Sequence, residues 1–162
     1  IVDKGKDYDI FVSALRELLT YMSKEIARDG EGATKLLICD VHGAKDVSNA
    51  KIAAKAVICS SLTKAAMFGE DANWGRVLCA IGYSGADEDV NRLDVSFVST
   101  AGRIDVCKNG AGVDFSEEEA KRILSQDEIT IDVTLYEGSG GATAYGCDLT
   151  YDYVKINGDY RT

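Results

Sequence analysis

The chain has 162 residues, 46% of them hydrophobic and 28% charged, which is enough apolar side chain for one sizeable core. Eighteen Lys and Arg stand against 27 Asp and Glu, a formal charge of −9 that argues against binding nucleic-acid backbones or anionic membrane surfaces. No apolar run approaches the roughly 20 residues of a membrane span, and the first residues lack the apolar centre of a signal peptide, so a soluble, cytoplasmic protein is expected.

In chain order, Ile10, Ala14, Leu15, Leu18, Leu19, Met22 and Ile26 recur at spacings of three and four, which predicts a long amphipathic helix over 8–28 that Gly30 stops. Residues 35–43 read as a strand buried on both faces near its start. Residues 46–59, rich in Ala and Lys, predict a covering helix with Val47, Ala50, Ala54, Val57 and Ile58 on one face. The short apolar stretch 62–68 reads as a helical turn. Val77, Leu78 and Ile81 place a further helix over 74–83, ending at Ser84-Gly85.

The second half alternates apolar and polar residues. Strands are expected over 93–98 and 103–108, with a hairpin turned at Ala101-Gly102. Ser116 and Glu119 have capping-box spacing and open a helix that runs to about Ser125. Ile129, Ile131, Val133 and Leu135 mark a strand over 128–136. Gly138-Ser139-Gly140-Gly141 reads as a hairpin turn that brings a strand over 142–149 back beside it. The tail, 151–162, fits a short helix or an extended arm. Together these elements make one α+β domain over 1–162, a layered sandwich with a mixed sheet covered by helices.

Few residues advertise chemistry. Cys39, Cys59, Cys79, Cys107 and Cys147 are odd in number, lack a CxxC pair and lie in apolar stretches, so they are expected as reduced core thiols. With a single histidine to help them, a metal site is not expected. That histidine, His42, lies two residues from Asp40, but no serine or cysteine is marked as its nucleophile. Gly82-Tyr83-Ser84-Gly85-Ala86 has Ala where a nucleophile elbow needs its second Gly, and Ser84 ends a predicted helix, so a helix cap is the better reading. In residues 69–76, Asp71 or Asn73 caps a helix, Trp74 packs and Arg76 pairs with an acid. Glu31 stands between Gly30 and Gly32, which let the backbone bend sharply and approach a ligand; a solvated loop carboxylate is the plain alternative.

Four segments carry a resemblance: Asp29-Gly30-Glu31-Gly32-Ala33-Thr34-Lys35, residues 68–76 around Glu70-Asp71-Ala72-Asn73-Trp74, residues 109–115 around Asn109-Gly110-Ala111-Gly112, and residues 146–162 ending in Tyr160-Arg161-Thr162. In this order they strongly resemble the β chain of the ornithine acetyltransferases, the bifunctional glutamate N-acetyltransferases of arginine biosynthesis. The resemblance implies a precursor that cuts itself into α and β chains, an α2β2 heterotetramer and acetyl transfer without a cofactor. A Thr at the start of the β chain takes acetyl from N-acetylornithine, ornithine leaves, and glutamate collects the acetyl group; some members also accept acetyl-CoA. It also implies substrate contacts at Glu31, Asn157 and Thr162.

The family's opening segment with its nucleophilic Thr has no match, since the chain enters the long helix soon after Ile1. No catalytic residue is therefore expected within these 162 residues, which read as the C-terminal part of a β chain. Ala72 stands where the family has Pro, and the chain has no Pro at all, where average usage of about 5% predicts about eight. Two other readings are a self-processing aminopeptidase or amidohydrolase of related architecture, and a subunit that only assembles or regulates.

Overall fold

A computed structural model describes residues 3–160. Its elements, in order, are α1 (Lys6–Arg28), β1 (Leu36–Ala44), α2 (Val47–Cys59), α3 (Ser61–Phe68), α4 (Trp74–Gly82), β2 (Asp94–Ser99), β3 (Gly102–Lys108), β4 (Ala111–Gly112), α5 (Glu117–Leu124), β5 (Glu128–Thr134), β6 (Gly140–Cys147) and α6 (Tyr151–Asp159), with a short 3-10 turn at Val90–Arg92. The strands form one mixed sheet in the order β4-β3-β2-β5-β1-β6. β1 is parallel to β5 and antiparallel to β6. The expected α+β layering with a mixed, helix-covered sheet is the architecture found.

Alternation along the strands decides which face each helix covers. Leu37, Cys39 and Val41 of β1 share the core with Ile129, Ile131 and Val133 of β5, Val95 and Phe97 of β2, and Ala50, Ala53, Ala54 and Val57 of α2. Ala120, Ile123 and Leu124 of α5 close the same core further along the sheet. Burying each Val, Leu, Ile or Phe of this core contributes about 1.5–3 kcal/mol. The opposite face carries Asp40, His42, Thr130 and Asp132, and α1 lies over one end of it. There Lys24 and Arg28 reach Glu128 at 3.2 and 3.0 Å, and Leu36 and Ile38 are buried. None of the residues of α1 is buried, and its apolar stripe, including Phe11, Leu18 and Met22, is exposed.

Local chemistry sets the ends. Asp46, Ser60, Asn73, Ser116 and Thr150 cap their helices, each side chain accepting from the backbone N–H three residues on. Ser116 is the cap expected, although the Glu119 carboxylate turns to Arg122 at 3.5 Å. β2 and β3 pair as the expected hairpin. Asn109 and Gly110, both with positive φ, turn β3 into the short β4, an Asn-Gly hairpin turn.

Three expectations fail. β5 and β6 are not a hairpin, because β1 lies between them. Residues 135–139 instead arch over the end of β1, with the Leu135 N–H bonded to the His42 carbonyl (2.9 Å) and those of Glu137 and Gly138 to the Gly43 carbonyl (2.7 and 2.9 Å). Gly138 is glycine because a Cβ would lie 2.6 Å from the Ala44 carbonyl oxygen. The cysteines are not all core thiols: Cys39 and Cys107 are buried, Cys147 is half-buried, and Cys59 and Cys79 are exposed. Burial pushes the Cys39 thiol far above its usual range, so it is inert packing. Arg76 pairs with no acid among the described residues; its guanidinium donates to the Leu62 carbonyl at 2.9 Å. Asn73 does cap α4, and Trp74 packs over Gly112.

The open sheet face is held by a charge network. Asp105 accepts from Ser96 Oγ at 2.6 Å and lies 3.1 Å from Lys108. The Ser96 hydroxyl, followed by Lys108 and Arg103, outweighs desolvation and lowers the Asp105 pKa. A carboxylate depressed in the folded state stabilises the fold above its unfolded pKa, and that contribution is lost as pH falls through the folded value. Acid unfolding of Asp105→Asn should therefore be shallower than wild type below about pH 4. Superimposable acid-unfolding profiles for the two proteins would show that this network does not contribute.

Candidate substrate-binding site

The turn between α1 and β1 holds Glu31, and α6 holds Asn157. The fold joins them: Asn157 Nδ2 donates to Glu31 Oε2 at 2.6 Å while also reaching the Tyr153 carbonyl one turn back at 2.9 Å. Both side chains are exposed, so the pair forms an open rim. Thr162, the third expected contact, lies outside the described residues.

The support under this rim was not expected. Asp148 is 3% exposed and accepts from the Thr34 N–H (2.8 Å), the Thr34 hydroxyl (2.5 Å) and the Lys35 N–H (3.0 Å). Thr150 Oγ1 donates to the Gly32 carbonyl at 2.6 Å and accepts from the Tyr153 N–H at 3.2 Å. Gly32 has φ +68, and a Cβ there would lie 2.8 Å from the Tyr153 backbone nitrogen. Only glycine combines that left-handed turn with so close an approach. Tyr151 opens α6 edge-on to Phe68, with ring centroids 5.4 Å apart, which ties α6 to the end of α3.

Lys35 is another unforeseen element. Its ammonium is buried and donates to the Met67 carbonyl (3.0 Å) and the Leu124 carbonyl (2.7 Å), with Glu70 at 3.8 Å. It thus closes the C-terminal ends of α3 and α5, where the helix dipoles favour a cation. Burial lowers its pKa, against the pull of Glu70 and Asp148. A Thr placed just before a helical stretch is a legible cap signal for Thr150. Nothing local marks Asp148 or Lys35, whose partners come from distant segments.

The other candidates resolve plainly. His42 Nε2 lies 3.3 Å from Asp40 and 3.5 Å from Asp132 on the open sheet face, and no hydroxyl or thiol hydrogen-bonds to it among the described residues. Ser84 Oγ donates to the Ile81 carbonyl (2.6 Å) and accepts from the Ala86 N–H (3.0 Å), which makes it a helix-ending turn. Beside the rim, an open groove of about 800 Å³ runs along β6 between α1 and the end of α2, past Ser23, Gly30, Cys59, Lys64 and Cys147.

The ArgJ family model matches residues 2–162. The chain belongs to the ArgJ family. It is 52% identical, over its whole length, to the arginine biosynthesis bifunctional protein ArgJ 1 of Clostridium acetobutylicum, covering 40% of that protein. It is 50% identical to the glutamate N-acetyltransferase of Methanopyrus kandleri over 98% of this chain and 41% of the relative. The crystal structure of the bifunctional protein ArgJ from Bacillus halodurans superposes with a TM-score of 0.92 at 43% identity, covering 99% of this chain and 74% of that one. The chain thus spans about two fifths of the length of the curated ArgJ relatives it matches.

Proposed function

We propose that this chain forms part of an acyltransferase of arginine biosynthesis that moves acetyl from N-acetylornithine to glutamate, with Glu31, Asn157 and Thr162 at the substrate. Membership of the ArgJ family supports the activity. The observation that carries the site is the Glu31–Asn157 bond, which assembles a carboxylate and an amide on one open rim from opposite ends of the chain. A carboxylate suits the ammonium of an amino-acid substrate, and a charge-assisted bond fixes its orientation. An amide supplies donor and acceptor to an amino-acid head group.

In this reading the nucleophile is a Thr supplied by polypeptide outside these 162 residues. Its hydroxyl attacks the acetyl carbonyl of N-acetylornithine while its own α-amine takes the proton. The tetrahedral intermediate collapses by expelling ornithine, whose leaving nitrogen receives that proton, and an acetyl-threonine ester remains. The neutral amine of glutamate attacks the ester, restoring the hydroxyl and releasing N-acetylglutamate. An α chain stabilises the oxyanion, and two αβ pairs assemble as α2β2 in the cytoplasm, with no cofactor required.

The chain, co-expressed with the remaining portion of its own precursor, should produce ornithine and N-acetylglutamate in equal amounts from N-acetylornithine and glutamate. Release of acetate with no N-acetylglutamate would overturn the proposal in favour of hydrolysis.

A further inference from the structure

Thr150 joins the two halves of the rim, and we propose that it is a positioning residue: its hydroxyl fixes the Glu31 turn to helix α6 and so sets where Glu31 stands relative to Asn157. This inference rests on the reading of that rim as a substrate site. One hydroxyl serves both sides. It accepts from the Tyr153 N–H as the cap of α6, and it spends its single proton on the Gly32 carbonyl next to Glu31.

The arrangement has little slack. Thr150 is 4% exposed and its bond to the Gly32 carbonyl is partly buried, so removing the hydroxyl leaves that carbonyl short of a partner. Asp148, two residues earlier, holds the other side of the turn through the Thr34 and Lys35 N–H groups. Between these ties the Glu31 turn closes on itself, with the Ala33 N–H bonded to the Gly30 carbonyl at 2.9 Å. Asn157 is placed in turn by its bond to the Tyr153 carbonyl, whose own N–H is the group that Thr150 caps. Displacing Thr150 therefore shifts both partners of the Glu31–Asn157 bond.

Three substitutions separate the tie from the cap. Thr150→Ser keeps both functions, Thr150→Val keeps the shape but loses both, and Thr150→Asp caps a helix well yet has no proton for the Gly32 carbonyl. In the assembled acetyltransferase, Thr150→Val and Thr150→Asp should raise KM for N-acetylornithine about tenfold with kcat nearly unchanged, and Thr150→Ser should restore it. Wild-type KM in Thr150→Asp would overturn the proposal, because the cap alone would then suffice. So would a loss confined to kcat in Thr150→Val.

Amide hydrogen exchange reads the same tie without turnover. In Thr150→Asp the Ala33 amide should exchange about tenfold faster while the Tyr153 amide stays protected. Equal Ala33 rates in wild type and variant would overturn the positioning role. A wild-type enzyme without acetyl transfer would instead remove the substrate reading of the rim and leave the exchange result to decide the tie.

Discussion

Replacing Glu31 with alanine in the assembled acetyltransferase should lower kcat/KM for N-acetylornithine about a hundredfold, the effect of losing one charge-assisted hydrogen bond to substrate. Glu31 is exposed, and Asn157 binds only its Oε2, so Oε1 accepts no bond from the described residues. A substrate ammonium can take Oε1 without displacing Asn157. Because the carboxylate lies at the surface, stability should change by no more than about 0.5 kcal/mol. Glu31→Gln keeps the shape and the Asn157 contact but not the charge, and it should fall between wild type and alanine. Steady-state kinetics and a denaturant melt on the three proteins check this together. Wild-type kinetics in Glu31→Ala would remove Glu31 from the site, and a large loss of stability would make its role structural.

The largest structural effect is expected at Gly140, the first residue of β6. A Cβ there would run into the Asp46 backbone, the cap residue of α2, and neither the strand nor the capped helix can give way cheaply. Asp46 is fixed from its other side, since its carboxylate accepts from the Asn49 N–H at 2.8 Å. Gly140→Ala should therefore cost about 3 kcal/mol, the upper range for overpacking. Gly141→Ala one residue on meets only the Val41 carbonyl oxygen, at 3.4 Å, and should cost much less. Urea unfolding of the two variants separates them. Equal midpoints would mean that the crossing of β6 and the start of α2 is not close-packed.

These two positions show what the sequence disclosed and what it withheld. The three- and four-residue spacing of α1 and α2, the period-two strands and the Ser116 cap are local patterns, and the structure has those elements within a residue or two. The composition of the Gly138–Gly141 run suits a turn equally well whether the flanking strands pair or a third strand slots between them. The deciding fact is contact with Asp46 and Ala44, which lie far away in the chain. The role of Lys35 is hidden from local sequence for the same reason. Only two helix ends converging on its ammonium make the burial of this lysine tolerable. At the rim, Glu31 was visible as a carboxylate between glycines, and Asn157 came from the resemblance alone. Their meeting depends on Thr150 and Asp148 bridging segments more than a hundred residues apart, which no window of sequence displays.

The place of β1 in the sheet has a consequence for how the chain acquires its structure. Its hydrogen-bonding partners, β5 and β6, are both made from the last third of the chain, so β1 cannot pair with any strand that follows it soon in synthesis. Such non-local pairing demands loop closure before any contact repays it, and folding is slowed accordingly. Until residues 128–147 arrive, β1 is an apolar strand with two open edges, and α2 can shield one of its faces but neither edge. The nascent or C-terminally shortened chain should therefore be the species most prone to aggregate, and β6, the last strand in sequence, covers the remaining edge of β1.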